Sequence, residues 1–338
     1  NITQADTVTG SLAVNGGSLD MAGFAIGSLA DPISSASFLS GTVGNLGEFN
    51  GGAAVTKTGA GTLVFAGNGG FTGGVQVNAG TVVANAISAL GSGTLSVNGG
   101  TLNLNGLAVA NALTFTQGAV TNASNYAGTQ TVSGAITYAG TVGGAVNVAA
   151  GGLLKGSSVT FTGPVSITGT HSPGSSPGLQ TFTSGLGYTS AATLVWELSA
   201  NTAAAIDRGI LYDAIDLTNS GTLAIDSAAT ISLVFNAALP DTTPSTVDWS
   251  DPFWADAHQW LLVDVISPVT WNEVTFGNVL IGNDVTGTAL ATARPSSSFT
   301  VAAQGGDLYV VYVPEPSLAL VGLVALAGML HAATRRGR

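Results

Sequence analysis

Val77-Asn78-Ala79-Gly80-Thr81-Val82 returns 20 residues later as Val97-Asn98-Gly99-Gly100-Thr101-Leu102. Val14-Asn15-Gly16-Gly17-Ser18-Leu19 and the looser Val148-Ala149-Ala150-Gly151-Gly152-Leu153 share the pattern. Each copy reads as a short strand, a tight corner and a second short strand, with glycine supplying the positive φ that a corner needs. Between the copies, Thr62-Leu63-Val64-Phe65, Val75-Gln76-Val77 and Ala112-Leu113-Thr114-Phe115 alternate apolar and polar residues with period two. No convincing 3.6-residue stripe occurs in this half. Short strands, glycine corners and scarce charge predict an all-β chain wound as a parallel β-solenoid. Inward Val, Leu and Phe would stack from coil to coil, and outward Thr, Asn and Ser would form ladders. An antiparallel sandwich is the competing architecture. Low charge favours the solenoid, because equivalent positions on adjacent coils lie only ~4.8 Å apart and like charges would repel. Residues 10–170 would supply about eight coils and roughly 40 Å of axis.

Composition narrows the function. Charged residues are 7% of 338, against about a quarter in an ordinary globular chain. The 18 acidic and 7 basic residues give a formal net charge of −11. That balance argues against nucleic acid and phosphate-rich ligands, which need basic patches. With 45% apolar residues, the chain can bury a core and is not read as disordered. There is no cysteine, so disulfides and thiolate metal sites are absent. The sequence starts at Asn1 without a charged-then-apolar leader, which an exported precursor would carry; the leader has been removed or the sequence is a fragment.

Thr56-Lys57-Thr58-Gly59-Ala60-Gly61-Thr62-Leu63, then Gly67-Asn68, then Phe71-Thr72-Gly73-Gly74-Val75-Gln76-Val77-Asn78-Ala79-Gly80-Thr81-Val82 resembles the autotransporter-associated β-strand repeat. That family shows K-x-G-x-G-x-L, a G-x-N step, Y-x-G-G-T and x-x-x-G-x-L; here Phe71 replaces Tyr and Val75 replaces Thr. The likeness is closest over residues 50–106. It implies a right-handed β-helical passenger at the cell surface. The long run of alternating strands that forms an autotransporter's translocator barrel is not seen, so only the passenger architecture carries over.

The character of the chain changes after residue 170, and 14 of the 18 acidic residues lie in 197–315. His171-Ser172-Pro173-Gly174-Ser175-Ser176-Pro177-Gly178 reads as a turn-rich hinge. Strands are expected at 193–198, 230–235, 260–265 and 308–312. The elements Ser-Pro-Gly, Trp196-Glu197-Leu198 and Tyr212-Asp213-Ala214-Ile215 resemble the C-terminal ends of passenger-like surface proteins. The expected organisation is therefore a solenoid over 1–170, an acidic β-rich continuation or cap over 171–313, and a separate tail over 314–338.

The tail joins three parts in order: Pro314-Glu315-Pro316, an uncharged run over 317–334, and Arg335-Arg336-Gly337-Arg338. As a helix the apolar run would span about 27 Å, near the thickness of a bilayer core. Arg335, Arg336 and Arg338 would stay cytoplasmic by the positive-inside rule, with His331 near that interface. The bland alternative is a buried terminal helix. The arrangement resembles the PEP-CTERM sorting signal of Gram-negative bacteria. That resemblance implies a single transmembrane helix, processing at Pro314, Glu315 and Pro316 by an exosortase-type membrane enzyme, and delivery to the cell surface or polysaccharide matrix.

Candidate chemistry is sparse. Residues 174–178 match G-x-S-x-G, but Pro177 and Gly178 follow where a hydrolase elbow needs a helix; Asp213 and His258 would complete a formal triad. His171, His258 and His331 lack metal-ligand spacing. Asp248, Asp251, Asp256 and Asp264 could offer oxygens to calcium, though no loop motif orders them. Polysaccharide cleavage would draw on Lys57, Lys155, Arg208 or Arg294 as a base, or on Asp207, Asp213 and Asp216 as carboxylates. Trp249, Phe253, Trp254 and Trp260 would be the core of the cap if buried. If exposed and coplanar, Trp249, Trp254 and Trp260 would be a glycan platform. The functional expectation is a non-enzymatic, cofactor-free structural protein of the surface or matrix. The alternatives are an adhesin binding glycans or calcium through its cap, and a polysaccharide-degrading enzyme.

Overall fold

Strict apolar–polar alternation sends every second side chain to the same side of a strand. In the computed structural model, level after level uses that alternation to fill one continuous interior. The structure describes residues 10–174, 177–219, 221–236, 245–266, 270–271 and 273–315. From the N-terminus the levels are β1 (Ser11–Asp20) with β2 (Ala25–Ile26), β3 (Ser35–Gly44) with β4 (Glu48–Phe49), β5 (Val55–Lys57) with β6 (Thr62–Ala66), and β7 (Val75–Val77) with β8 (Thr81–Ala84). The long strands β9 (Leu95–Asn103), β10 (Leu113–Thr121) and β11 (Thr129–Tyr138) follow, and β12 (Thr141–Val142) completes the last of these levels. Three-sided levels come next: β13 (Ala145–Val148), β14 (Leu153–Lys155), β15 (Val159–Phe161); β16 (Val165–Ile167), β17 (Thr170–His171), β18 (Leu179–Phe182); β19 (Leu186–Tyr188), β20 (Thr193–Glu197), β21 (Ala214–Leu217); and β22 (Thr222–Ile225), β23 (Thr230–Val234), β24 (His258–Val265). The C-terminal end holds β25 (Thr270–Trp271), β26 (Asn278–Ile281), a four-residue helix α1 (Leu290–Ala293), and the strands β27 (Ser298–Gln304) and β28 (Asp307–Val313).

Pairing between levels is parallel from β1 to β26. The all-β parallel solenoid is therefore the fold, and the sandwich is not. One column of Cα partners runs Val14, Phe38, Lys57, Val77, Val97, Phe115, Val132, Val148, Ile167, Tyr188, Ile225. All of its members are buried. A second column, Val142, Phe161, Phe182, Leu217 and Val265, lines the third side. Within it the rings of Phe161 and Phe182 stack at 5.0 Å. Apolar inward residues thus stack on one another from level to level, with Lys57 the one charged member of the first column, which is how a solenoid buries apolar area without a second layer.

Two expectations need correction. The corner at 97–102 does not separate two strands: β9 runs through it, and its pairing with β10 slips in register next to Gln117. The bend is a bulge within a continuous ladder. The corner at 77–82 does divide β7 from β8, and Gly80 there has φ 65°. Nor do residues 171–178 form a hinge between bodies. Thr170 and His171 pair with Leu153 and Leu154 below and with Thr193 and Leu194 above, so the stack runs straight through. Pro173, Gly174, Pro177 and Gly178 lie between β17 and β18 of one level, and corners use the same residue types as linkers.

Parallel stacking continues as far as Ile281. Closure comes from an antiparallel ribbon: β28 pairs with β24, and β27 with β28. Pro314 and Glu315 follow directly. Pro316, the apolar run 317–334 with His331, and Arg335, Arg336 and Arg338 lie outside the described residues, and so does the expected transmembrane helix. Among the described residues no helix is long and apolar enough to cross a membrane.

Candidate functional site

Lys57 stands in the apolar column, between Phe38 and Val77. Its side chain has no accessible surface. The ammonium group donates to the carbonyls of Thr58 at 2.9 Å, Gly59 at 2.6 Å and Ala79 at 3.0 Å. All three donors of the ammonium are therefore used. Two acceptors belong to its own corner and one to the next level, so the side chain ties two levels together from inside. Thr58, Gly59 and Ala60 are exposed, so the charge lies just beneath a wet corner; burial lowers its pKa. This role does not show in the repeat pattern by itself. It appears only when the level length places Ala79 two residues beyond Val77, the partner of Lys57.

A second polar island lies further along the interior. His171 Nε2 is 2.8 Å from Gln180 Oε1, and His171 Nδ1 is 2.6 Å from Tyr188 Oη. Gln180 Nε2 donates to the Gly156 carbonyl at 2.7 Å. Since Gln180 Oε1 can only accept, His171 is protonated at Nε2, and its Nδ1 accepts the tyrosine proton. The ring is fully buried and its pKa falls to about 4, chiefly through desolvation. His171 is thus a neutral structural group, closed off by its partners. Gln130 and Tyr138 form a similar pair, with Tyr138 Oη donating to Gln130 Oε1 at 2.9 Å.

Asp213 is buried. Its Oδ1 accepts from the Gly178 amide at 2.7 Å, and its Oδ2 accepts from the Glu197 amide at 3.0 Å. Burial pushes its pKa well above the usual carboxylate range, and the Glu197 charge adds to the rise. Glu197 Oε2 is buried without a hydrogen-bond partner among the described residues. Asp213 acts as a staple that fastens the Gly178 corner to β20. Ser175 and Ser176 lie outside the described residues. His258 does not join Asp213: its Nε2 donates to the Phe253 carbonyl at 2.6 Å, and its ring stacks on Phe253 at 3.7 Å.

The other candidates are scattered. Asp207 accepts from Thr202 Oγ1 at 2.6 Å, and Asp216 pairs with Arg208 at 2.7 Å. Arg208 also donates to the carbonyls of Leu261 and Ile215. Asp264 lies opposite Asp216 on the next level, and its carboxyl is pushed up by burial. Asp248 and Asp251 accept from backbone amides two residues ahead; in Asp251 this caps the 3-10 turn Pro252–Ala255. Among the described residues no group of three or more carboxylate or imidazole side chains could hold a metal ion. Lys155 is half-buried on the second side of the coil. Arg294 is bonded to the carbonyls of Trp249 and Asp251. A groove of about 250 Å³ along Leu12, Val14 and Leu19 of β1 contains no ionisable side chain.

The indoles are interior groups. Trp249, Trp254 and Trp260 are each 0% exposed. Their Nε1 atoms donate to the Thr288 carbonyl at 2.9 Å, Asn201 Oδ1 at 2.9 Å and the Thr202 carbonyl at 2.6 Å. Trp249 and Trp254 meet edge to face, 4.6 Å apart at 72°. Rings that are buried, bonded and crossed offer no surface to a sugar, so the proposed platform on Trp249, Trp254 and Trp260 is replaced by a packed aromatic core.

Residues 55–84 match the passenger-associated transport repeat. No curated protein matches the chain. The matched stretch covers β5 to β8 and contains the whole Lys57 clamp, from the ammonium to the Ala79 carbonyl. A passenger-like repeat within a β-solenoid suggests an exported or surface structural protein.

Proposed function

We propose that this chain is a structural protein of the bacterial surface or extracellular matrix, with the solenoid as a stiff spacer and residues 314–338 as its sorting signal. The observation that carries the reading is the passenger-type repeat at 55–84 within an uninterrupted parallel stack. The resemblance to passenger repeats also brings a right-handed coil into this reading. The position of Pro314-Glu315-Pro316 supports the sorting role: it begins one residue after Val313, the last residue of β28. Proline has no amide to donate to a ladder, which fits Val313 as the last residue of β28. In this reading a Gram-negative cell exports the chain, an exosortase-type enzyme recognises Pro314, Glu315 and Pro316, and 317–334 anchors the precursor with Arg335, Arg336 and Arg338 on the cytoplasmic side. The protein turns over no substrate and carries no cofactor.

Replacing Pro314, Glu315 and Pro316 by alanine tests the sorting step. The altered precursor is expected to accumulate in the membrane fraction, while the parent chain is released with a trimmed C-terminus seen by mass spectrometry. Equal release of both would remove the sorting signal from the reading. Incubation with neutral and acidic glycans is expected to liberate no reducing ends; steady release would make the chain an enzyme.

A further inference from the structure

The solenoid separates its charges. No Asp or Glu occurs between Glu48 and Glu197. Within that interval the only basic residues are Lys57 and Lys155. Lys57 is buried, and Lys155 belongs to the second side of the coil, opposite Thr137. The first side, built from β5, β7, the leading halves of β9 to β11, and β13, therefore presents no charge to solvent. Its outward column reads Thr56, Gln76, Ser96, Thr114, Thr131, Asn147, each the register partner of the next. A second outward column lies two residues along each strand. There Asn98 Nδ2 donates to Asn78 Oδ1 at 3.1 Å, and Thr116 Oγ1 donates to Asn98 Oδ1 at 3.0 Å. In the first column Thr114 Oγ1 donates to Ser96 Oγ at 3.1 Å.

We propose that this side binds an uncharged, hydroxyl-rich polymer, a neutral polysaccharide chain, lying along the solenoid axis. The array repeats every ~4.8 Å along the axis and about 6.6 Å across it, so six levels offer a track of about 24 Å. Hydroxyls and amides both donate and accept, which suits sugar hydroxyls of either orientation. The bonds from Asn78 through Asn98 to Thr116 and from Thr114 to Ser96 fix those rotamers before a ligand arrives, and so lower the ordering cost of binding there. An acidic polymer is disfavoured by the net charge of −11, and a cationic one finds no carboxylate on this side. A protein partner would need an apolar or aromatic centre, and neither outward column contains an aromatic residue. The proposal takes its setting from the surface reading, but purified protein tests it alone: failure to bind would leave the sorting experiment unaffected.

The test is affinity electrophoresis in native gels containing a linear mixed-linkage β-glucan, a galactomannan or dextran, with alginate as the acidic control. The protein is expected to be retarded by at least one neutral polymer, about tenfold more strongly than by short oligosaccharides of the same linkage, and not by alginate. S96K/T131K places a lysine on alternate levels of the array and is expected to weaken binding at least about tenfold. T62K/T101K makes the same charge change on the second side and is expected to leave binding within about twofold. S96A/T131V removes both hydroxyls without adding charge and covers the case in which the lysine pair fails to fold; it too is expected to lose affinity. No retardation of the parent chain by any neutral polymer would overturn the proposal, as would equal losses from both lysine pairs. A concentration-dependent dimer abolished by S96K/T131K, without polymer binding, would also overturn it and assign this side to a second copy of the chain.

Discussion

Lys57→Met tests the interior clamp most directly, because methionine keeps the apolar stem and removes only the ammonium. Three carbonyls then lose their donor. Those of Thr58 and Gly59 lie at an exposed corner, where water can replace the ammonium. The Ala79 carbonyl lies on the neighbouring level, where residue 79 is half-buried, and an unsatisfied acceptor there costs about 1–3 kcal/mol. The opposing term is relief from holding a charge away from water, which at deep sites can make an apolar replacement neutral or better. The shallow position of Lys57 makes that relief small, so the expected loss is about 2 kcal/mol. Lys57→Ala also deletes the stem inside a packed column, and the total should reach about 4 kcal/mol.

A stack of levels need not unfold as one unit, so the informative assay is local hydrogen exchange. The Asn78 amide donates to the Lys57 carbonyl, and the Thr81 amide to the Gly61 carbonyl. Both should lose about 30-fold protection, the equivalent of 2 kcal/mol. The Thr193 amide, bonded to Gly169, lies several levels away and should be unchanged. Equal or greater protection in the methionine variant would show that apolar packing outweighs the clamp and that Lys57 does not tie the two levels together.

Gly80→Ala should be more damaging than Lys57→Met. The new Cβ would stand 2.4 Å from the carbonyl oxygens of Gly59 and Gly61 and 2.6 Å from Lys57 Nζ, at φ +65°; a loss of about 3 kcal/mol or more is expected from denaturant melts. His171 gives the body an acid sensitivity. Its folded pKa of about 4 lies below the unfolded value near 6.5, so protonation favours unfolding. Stability is fully present above pH 6.5 and should fall by about 3 kcal/mol as pH drops through 4. His171→Phe should abolish that slope, and subtracting its melting curves from the parent's removes the opposite contribution of Asp213, whose raised pKa favours the folded state at low pH. Trp254→Ala should cost about 3–5 kcal/mol and open the closing ribbon to limited proteolysis between residues 245 and 313 while the levels before β19 stay resistant.

The repeat was legible wherever each level contributes one short, regular unit. Val77 and Val97 are register partners 20 positions apart, the spacing visible in the sequence, so period and inward residues could both be read. The interior polar groups were harder. His171 lies in a column with Leu154 and Leu194, yet a histidine beside Ser-Pro-Gly reads as a surface turn. Nothing local shows that Tyr188 and Gln180 arrive from later strands to satisfy it. The same holds for Glu197, whose closeness to Asp213 depends on the coil returning along its own path.

The loss of periodicity after residue 170 has one physical cause, and it also explains the tryptophans. A level must match its neighbours only along its strands; the chain between strands is free to lengthen. Tyr188 pairs with Ile225, 37 positions on, and Ile215 pairs with Val263, 48 positions on. The added residues fall in two excursions, 198–213 between β20 and β21 and one between β23 and β24 that is described at 235–236 and 245–257. They meet each other: Trp254 bonds Asn201 from the first excursion, and Trp260, at the start of β24, bonds Thr202. A stack that ended at a plain level would expose its last apolar column. Here the excursions and the ribbon β27–β28 add a cluster of indoles, Phe299 and Tyr312 to the interior near that end, while Ile281, the partner of Leu233 on the last level, stays 40% exposed. Sequence periodicity therefore fails where the solenoid needs bulk to close its end, and aromatic density in that region marks closure and not a binding surface.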